Sequence, residues 1–171
     1  EQALTVAASI TFEQNYGLIE GDSASTAELC ALLSSLANLP LKQSIAVTGA
    51  VNQHGDILPI GGVTEKIEGF FHVCQIEGLT GEQGVVIPHT NIAHLMLEQE
   101  VVTAVQAGQF HIWAVRKLDE AIEVLSGVPA GERDADGIYP EGSFHAAVQE
   151  GLKRLGKQDE DEEEGEEVDS E

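Results

Sequence analysis

Segments whose apolar residues recur at every second position alternate along this chain with segments whose apolar residues recur every three to four. That alternation restricts the fold more than any other feature. Leu4, Val6, Ala8, Ile10 and Phe12 alternate with small or polar residues, as a half-buried strand does. From Ser25 to Leu39 the chain is apolar almost all round and rich in Ala and Leu, which predicts a deeply buried helix that Pro40 stops. Ile45 to Val51 reads as a second strand, with Ile45, Val47 and Val51 on one face and Ala46, Thr48 and Ala50 on the other. The turn chemistry of NQHGD then predicts that Ile57–Ile60 pairs back as a hairpin arm. Gly61 and Gly62 lead into a helix reaching Gln75, followed by the continuously apolar strand Gly84–Pro88 and a helix over 91–107. A strand at His111–Val115 and a short helix marked by Leu118, Ala121, Ile122 and Leu125 come next. Beyond a Gly/Pro/Asp-rich linker, Phe144, Val148, Leu152 and Leu155 mark a last amphipathic helix. The expected class is therefore α/β, a mixed β-sheet packed with helices, with no internal repeat.

Charge then limits what the surface can meet. Eight Lys and Arg stand against 30 Asp and Glu, a formal net charge of −22. Such a surface repels phosphate backbones and anionic headgroups, so neither nucleic acid nor membrane is an expected partner. No apolar run approaches the ~20 residues that span a bilayer, and no basic-then-apolar leader opens the chain. Ten of the last thirteen residues, Asp159–Glu171, are acidic, and charge at that density predicts a disordered tail, able to recruit a basic partner or simply solvating. The chain begins without Met and runs at once into strand-like alternation, as an excised piece of a longer protein would. Cys30 and Cys74 both sit in apolar helical patterns, which favours buried reduced thiols in a cytoplasmic protein over a bridge.

Three positions carry possible chemistry. On the helix from Val63, the residues Glu65, Glu68, His72 and Gln75 form a polar stripe, and Val63, Ile67, Phe70 and Cys74 form the apolar one. Lys66 lies three after Val63 and four before Phe70, which places it on the apolar side. A lysine there either snorkels outward or is held desolvated, and desolvation lowers its pKa toward that of a general base. Ser23 lies where a loop of small residues meets the buried helix, close to the unpaired N–H groups of a first turn that would favour an oxyanion. The plainer reading is a cap: Ser25 with Glu28 three residues on forms a capping-box pattern to which Asp22 or Ser23 would belong. Thr48, on the small-residue face of its strand, is placed to orient an amine.

Metal and nucleotide chemistry find less support. The six histidines contain no HExxH, the two cysteines lie in no CxxC, and no GxxxxGK[ST] occurs. No metal site and no cofactor are expected in this chain. His89, just after the strand GVVIP, is either a loop or cap residue or the base of a Ser-His pair.

The run Gly21-Asp-Ser-Ala-Ser25, then Val47-Thr-Gly49, Leu58-Pro-Ile-Gly-Gly-Val-Thr-Glu-Lys66 and Val86-Ile-Pro88 resembles the proteolytic domain of Lon proteases. The 43 residues from Ser23 to Lys66 match that family's separation of nucleophile and base, and Asp22 and Ser25 resemble the archaeal branch often called LonB. The resemblance runs from Ala8 to Gly127. It implies a Lon-type proteolytic domain over 1–127, N-terminally truncated, then a linker and amphipathic helix over 128–158 and the acidic tail over 159–171. It further implies a serine endopeptidase using a Ser-Lys dyad, with Ser23 as nucleophile, Lys66 as base, Thr48 orienting the lysine, and oxyanion donors near Asp22 and Ala24. Glu20 stands where the family usually carries Asp, three residues before the serine, which keeps the charge on a longer arm. The expected substrates are unfolded or damaged polypeptides and the expected assembly is a homo-hexamer in the cytoplasm. Any ATP use would reside in an upstream module. The alternative is a catalytically silent Lon-like scaffold or interaction module.

Overall fold

The computed structural model describes residues 7–11 and 21–168, with side chains described as far as residue 156. Its elements are α1 (Ser25–Ala37), β1 (Ile45–Val47), β2 (Ala50–Val51), β3 (Ile57–Leu58), α2 (Val63–Glu77) and β4 (Gly84–Pro88). A 3-10 helix (His89–His94), α3 (Gln99–Gln106), β5 (His111–Val115), α4 (Leu118–Ser126) and α5 (Phe144–Val168) follow.

Strands β1, β4 and β5 form a parallel sheet with β4 in the middle, in register Val47↔Val86 and Val86↔Trp113. Alternate residues of β4 serve opposite faces, which is why its sequence is continuously apolar. Val86 joins Cys30, Ile45, Val115, Ile122 and Phe144 on the face covered by α1, α4 and α5. Val85 and Ile87 join Ile67, Phe71, Val101 and Phe110 beneath α2 and α3. The two free cysteines thus lie in separate cores, Cys30 in the first and Cys74 in the second. The protein is α/β with a parallel sheet between helices, and β2 and β3 form a separate antiparallel ribbon. Asn52 makes the hairpin turn by accepting the N–H groups of His54 and Asp56 through its side-chain oxygen.

Several sequence expectations are corrected. Residues 7–11 carry no regular structure and are exposed; the other residues expected in that first strand lie outside the described ones. The strand expected over 45–51 divides at Thr48–Gly49, because the Gly49 N–H turns away to the carbonyl of Ser23 at 2.8 Å. The helix expected over 91–107 is interrupted after His94 and resumes at Gln99, since Leu95 and Glu98 adopt extended ψ angles. Helix α1 is less buried than its composition suggests, with only Thr26 and Cys30 fully inside. Within the 128–158 segment, Phe144 is fully buried in the first core and Gly151 lies against the Leu36 backbone of α1. The backbone of α5 is helical as far as Val168, where glutamates are individually good helix formers, and residues 169–171 of the expected acidic tail lie outside the described ones. Among the described residues no helix is long and apolar enough to cross a membrane.

Candidate active site

Ser23 stands on the loop entering α1, and two backbone straps fix it. Its carbonyl accepts the Gly49 N–H at 2.8 Å and the Thr48 hydroxyl at 3.3 Å. Three residues on, the Thr26 N–H and hydroxyl both donate to the Gly49 carbonyl, at 3.1 and 2.8 Å. Thr48 is itself tied to the sheet, its N–H donating to the Val86 carbonyl at 3.0 Å. The expected capping box is absent: α1 has no side-chain cap, and the Ser25 hydroxyl instead accepts the Val51 N–H at 3.1 Å. The first turn is thereby held by the β1–β2 crossing, and Ser23 is not consumed as a cap.

Lys66 enters from the opposite side. Gly62 begins α2 in the left-handed region at φ 66°, and its carbonyl accepts the Lys66 N–H at 3.1 Å. The buried face of α2 is Val63, Ile67, Phe71 and Cys74, with Phe71 rather than Phe70 fully inside. Lys66 borders that face and is exposed, so of the two fates open to it the structure takes the snorkelling one. Helical side chains lean toward the N-terminus. The Lys66 amine accordingly reaches back to the Ser23 hydroxyl at 2.8 Å and the Thr48 hydroxyl at 3.2 Å. Ser23 is half-buried and Thr48 is 8 % exposed, so the amine is open to solvent while the hydroxyl that steadies it is not.

The other candidate positions fall around this cluster. Asp22 is exposed and its carbonyl accepts the Ser25 N–H at 3.0 Å; Ala24 occupies the position before α1. Among the described residues no acceptor takes the amide N–H of Asp22, Ser23 or Ala24. Glu20 lies outside the described residues. His89 does not join the cluster: its Nε2 pairs with the Arg116 guanidinium at 2.6 Å. Among the described residues no three His, Cys, Asp or Glu side chains group as metal ligands would.

Sequence reasoning missed two supporting residues. Thr26 is a polar residue within an otherwise apolar helical run, and that exception was its signal. Asn91 is 5 % exposed, and its side chain closes on the backbone of Ile60, accepting its N–H at 3.0 Å and donating to its carbonyl at 2.8 Å. In the sequence it read only as a helix beginning.

Comparison with known proteins identifies the family. Residues 18–126 match the family described as the Lon protease (S16) C-terminal proteolytic domain. A protein named as a Lon protease homolog in Escherichia coli (strain K12) is 55% identical over 125 residues, covering 73% of this chain and 21% of its own length. The corresponding protein of Haemophilus influenzae is 52% identical over 124 residues, covering 72% of this chain and 21% of its own. An archaeal Lon protease of Thermococcus kodakarensis is 36% identical over 115 residues, covering 67% of this chain and 16% of its own. The chain thus spans about a fifth or less of the curated relatives it matches. The match takes in Ser23, Thr48 and Lys66, and the chain belongs to the family of Lon protease C-terminal proteolytic domains.

Proposed function

We propose that this domain is a serine-type endopeptidase that hydrolyses peptide bonds through a Ser23–Lys66 dyad. The observation that carries the reading is the 2.8 Å approach of the Lys66 amine to the Ser23 hydroxyl, with Thr48 as the amine's second partner at 3.2 Å. In the reaction the unprotonated amine of Lys66 accepts the proton of the Ser23 hydroxyl as the oxygen attacks the scissile carbonyl. The resulting oxyanion is received by backbone N–H groups in the Asp22–Ala24 loop. Collapse of this intermediate breaks the C–N bond, and the Lys66 ammonium returns the proton to the leaving amine. Water, deprotonated by the same amine, then attacks the acyl ester; the C–O bond to Ser23 breaks, and the Lys66 ammonium returns the proton to the Ser23 oxygen. Thr48 keeps the amine aimed at Ser23 because its own backbone and hydroxyl are held. Glu20, three residues before the nucleophile, is assigned a supporting carboxylate role.

For the longer protein to which a domain of this family belongs, the reading extends to unfolded polypeptide substrates, a cytoplasmic homo-hexamer and ATP used by a separate module. The test is cleavage of casein and of a fluorogenic peptide, by this chain and by a version extended upstream, with Ser23→Ala as control. Activity is expected to fall by roughly 10³-fold or more in that variant. Undiminished cleavage by Ser23→Ala would refute the nucleophile. No cleavage by either wild-type chain, with an assembled ring by light scattering, would shift the reading to a silent scaffold.

A further inference from the structure

Four polar side chains are buried among the described residues: Thr26, Thr48, Asn91 and Ser143. Ser143 accepts the Ala146 N–H at the start of α5, and Thr26 and Thr48 hold the Ser23 side of the site. Asn91 lies outside the Ser23–Thr48–Lys66 cluster, and its carboxamide is spent entirely on one residue. Burying an amide is unfavourable unless its groups are bonded, and both of these bonds go to Ile60.

Ile60 is two residues before Gly62, whose carbonyl receives the Lys66 N–H. Between them stands Gly61, which has no side chain and where an added Cβ would meet nothing within 4 Å. Asn91 adds two hydrogen bonds at Ile60 to the anchoring that buried Val63 and Ile67 give the first turns of α2. It stands in the 3-10 helix that continues directly from β4, and β4 also holds Thr48 through the Val86 carbonyl. The amine of Lys66 and the hydroxyl that steadies it are thereby referenced to one strand. We propose that Asn91 is a positioning residue that, by clamping the Ile60 backbone to the end of β4, sets the start of α2 and with it the reach of the Lys66 amine toward Ser23. This rests on the dyad reading for its effect on catalysis, but not for its effect on geometry.

The test replaces the carboxamide by an apolar group of similar shape, Asn91→Leu, with Asn91→Asp as a second variant that keeps an acceptor for the Ile60 N–H and loses the donor. Three readouts are compared with wild type: casein and peptide kinetics, the Lys66 ¹³Cε resonance, and hydrogen exchange of the Ile60 amide. In Asn91→Leu, kcat is expected to fall by roughly 10²-fold with KM within about twofold, because a displaced base is felt in the transition state more than in binding. The Lys66 resonance should shift from its wild-type position as the amine leaves the Ser23 and Thr48 hydroxyls, and the Ile60 amide should exchange faster, while the thermal melt stays cooperative. Asn91→Asp should keep more Ile60 protection than Asn91→Leu. Unchanged kcat in an active enzyme, or a loss equal to the fraction unfolded, would overturn the proposal. If Ser23→Ala is as active as wild type, it is the dyad that fails. The proposal is then decided by the other two readouts, and an Ile60 amide and a Lys66 resonance unaltered in Asn91→Leu would overturn it.

Discussion

Two glycines of α5 provide a matched test of whether the C-terminal helix belongs to the domain. A Cβ built on Gly151 would lie 1.9 Å from the Leu36 carbonyl oxygen and 2.9 Å from its carbon, both backbone atoms of α1 that no rotamer change can move. At Gly156 the same atom would meet nothing within 4 Å. Alanine at a helix interior gains about 0.8–1 kcal/mol over glycine, a gain available at both positions. At Gly151 it is opposed by overpacking, typically 1–3 kcal/mol, and a backbone-on-backbone clash belongs at the upper end. The net expectation for Gly151→Ala is therefore a loss of about 2 kcal/mol, a Tm lower by roughly 4–8 °C in a domain of this size. Gly156→Ala should instead raise stability, by at most ~1 kcal/mol. Thermal melts by circular dichroism on the two variants and wild type read both signs. A Gly151→Ala variant as stable as Gly156→Ala would refute the docking of α5 on α1.

Thr48→Val removes the hydroxyl that receives the Lys66 amine and bonds the Ser23 carbonyl; kcat for casein cleavage should fall roughly tenfold, and wild-type kinetics would contradict the orienting role. Thr26→Val, matched in shape, loses the hydroxyl bond to Gly49 but keeps the N–H bond, so urea unfolding should show a cost of about 1 kcal/mol rather than the several expected if the whole strap were lost. Burial pushes the Cys30 thiol up to about 11, so the unfolded chain loses this proton at a lower pH than the folded one. The stabilisation is complete below about pH 9 and is lost as pH rises toward about 11, by an amount on the order of 2–3 kcal/mol. Urea titrations across that range should show a steeper decline for the native chain than for Cys30→Ser; parallel curves would contradict it.

The legible parts of the fold were those whose period matched their surroundings. Val63, Ile67 and Cys74 marked the buried face of α2, and Leu118, Ala121, Ile122 and Leu125 that of α4. Lys66 stood out as an exception to its local pattern, and the resemblance to Lon proteolytic domains is what joined it to Ser23 and Thr48, which local pattern alone left open. What stayed hidden depended on contacts distant in sequence. Nothing local to Ser25 says that its hydroxyl will receive the N–H of Val51, and a capping box was the better local prediction. Asn91 was unreadable for the same reason, since its partner lies 31 residues away. Lys66 shows the limit of periodicity: it placed the side chain at the apolar face but could not decide between burial and a reach along the helix surface.

In the proposed reaction Lys66, and not His89, serves Ser23. The most direct measurement is casein cleavage by Lys66→Met beside His89→Ala, each checked for a native melt. Lys66 is exposed, so its replacement should change stability by no more than about 0.5 kcal/mol, and lost activity cannot then be ascribed to unfolding. Lys66→Met should lose hydrolysis by at least roughly 10²–10⁴-fold, while His89→Ala, whose ring pairs with Arg116, retains it. Activity kept in Lys66→Met and lost in His89→Ala would contradict the dyad and reassign the base.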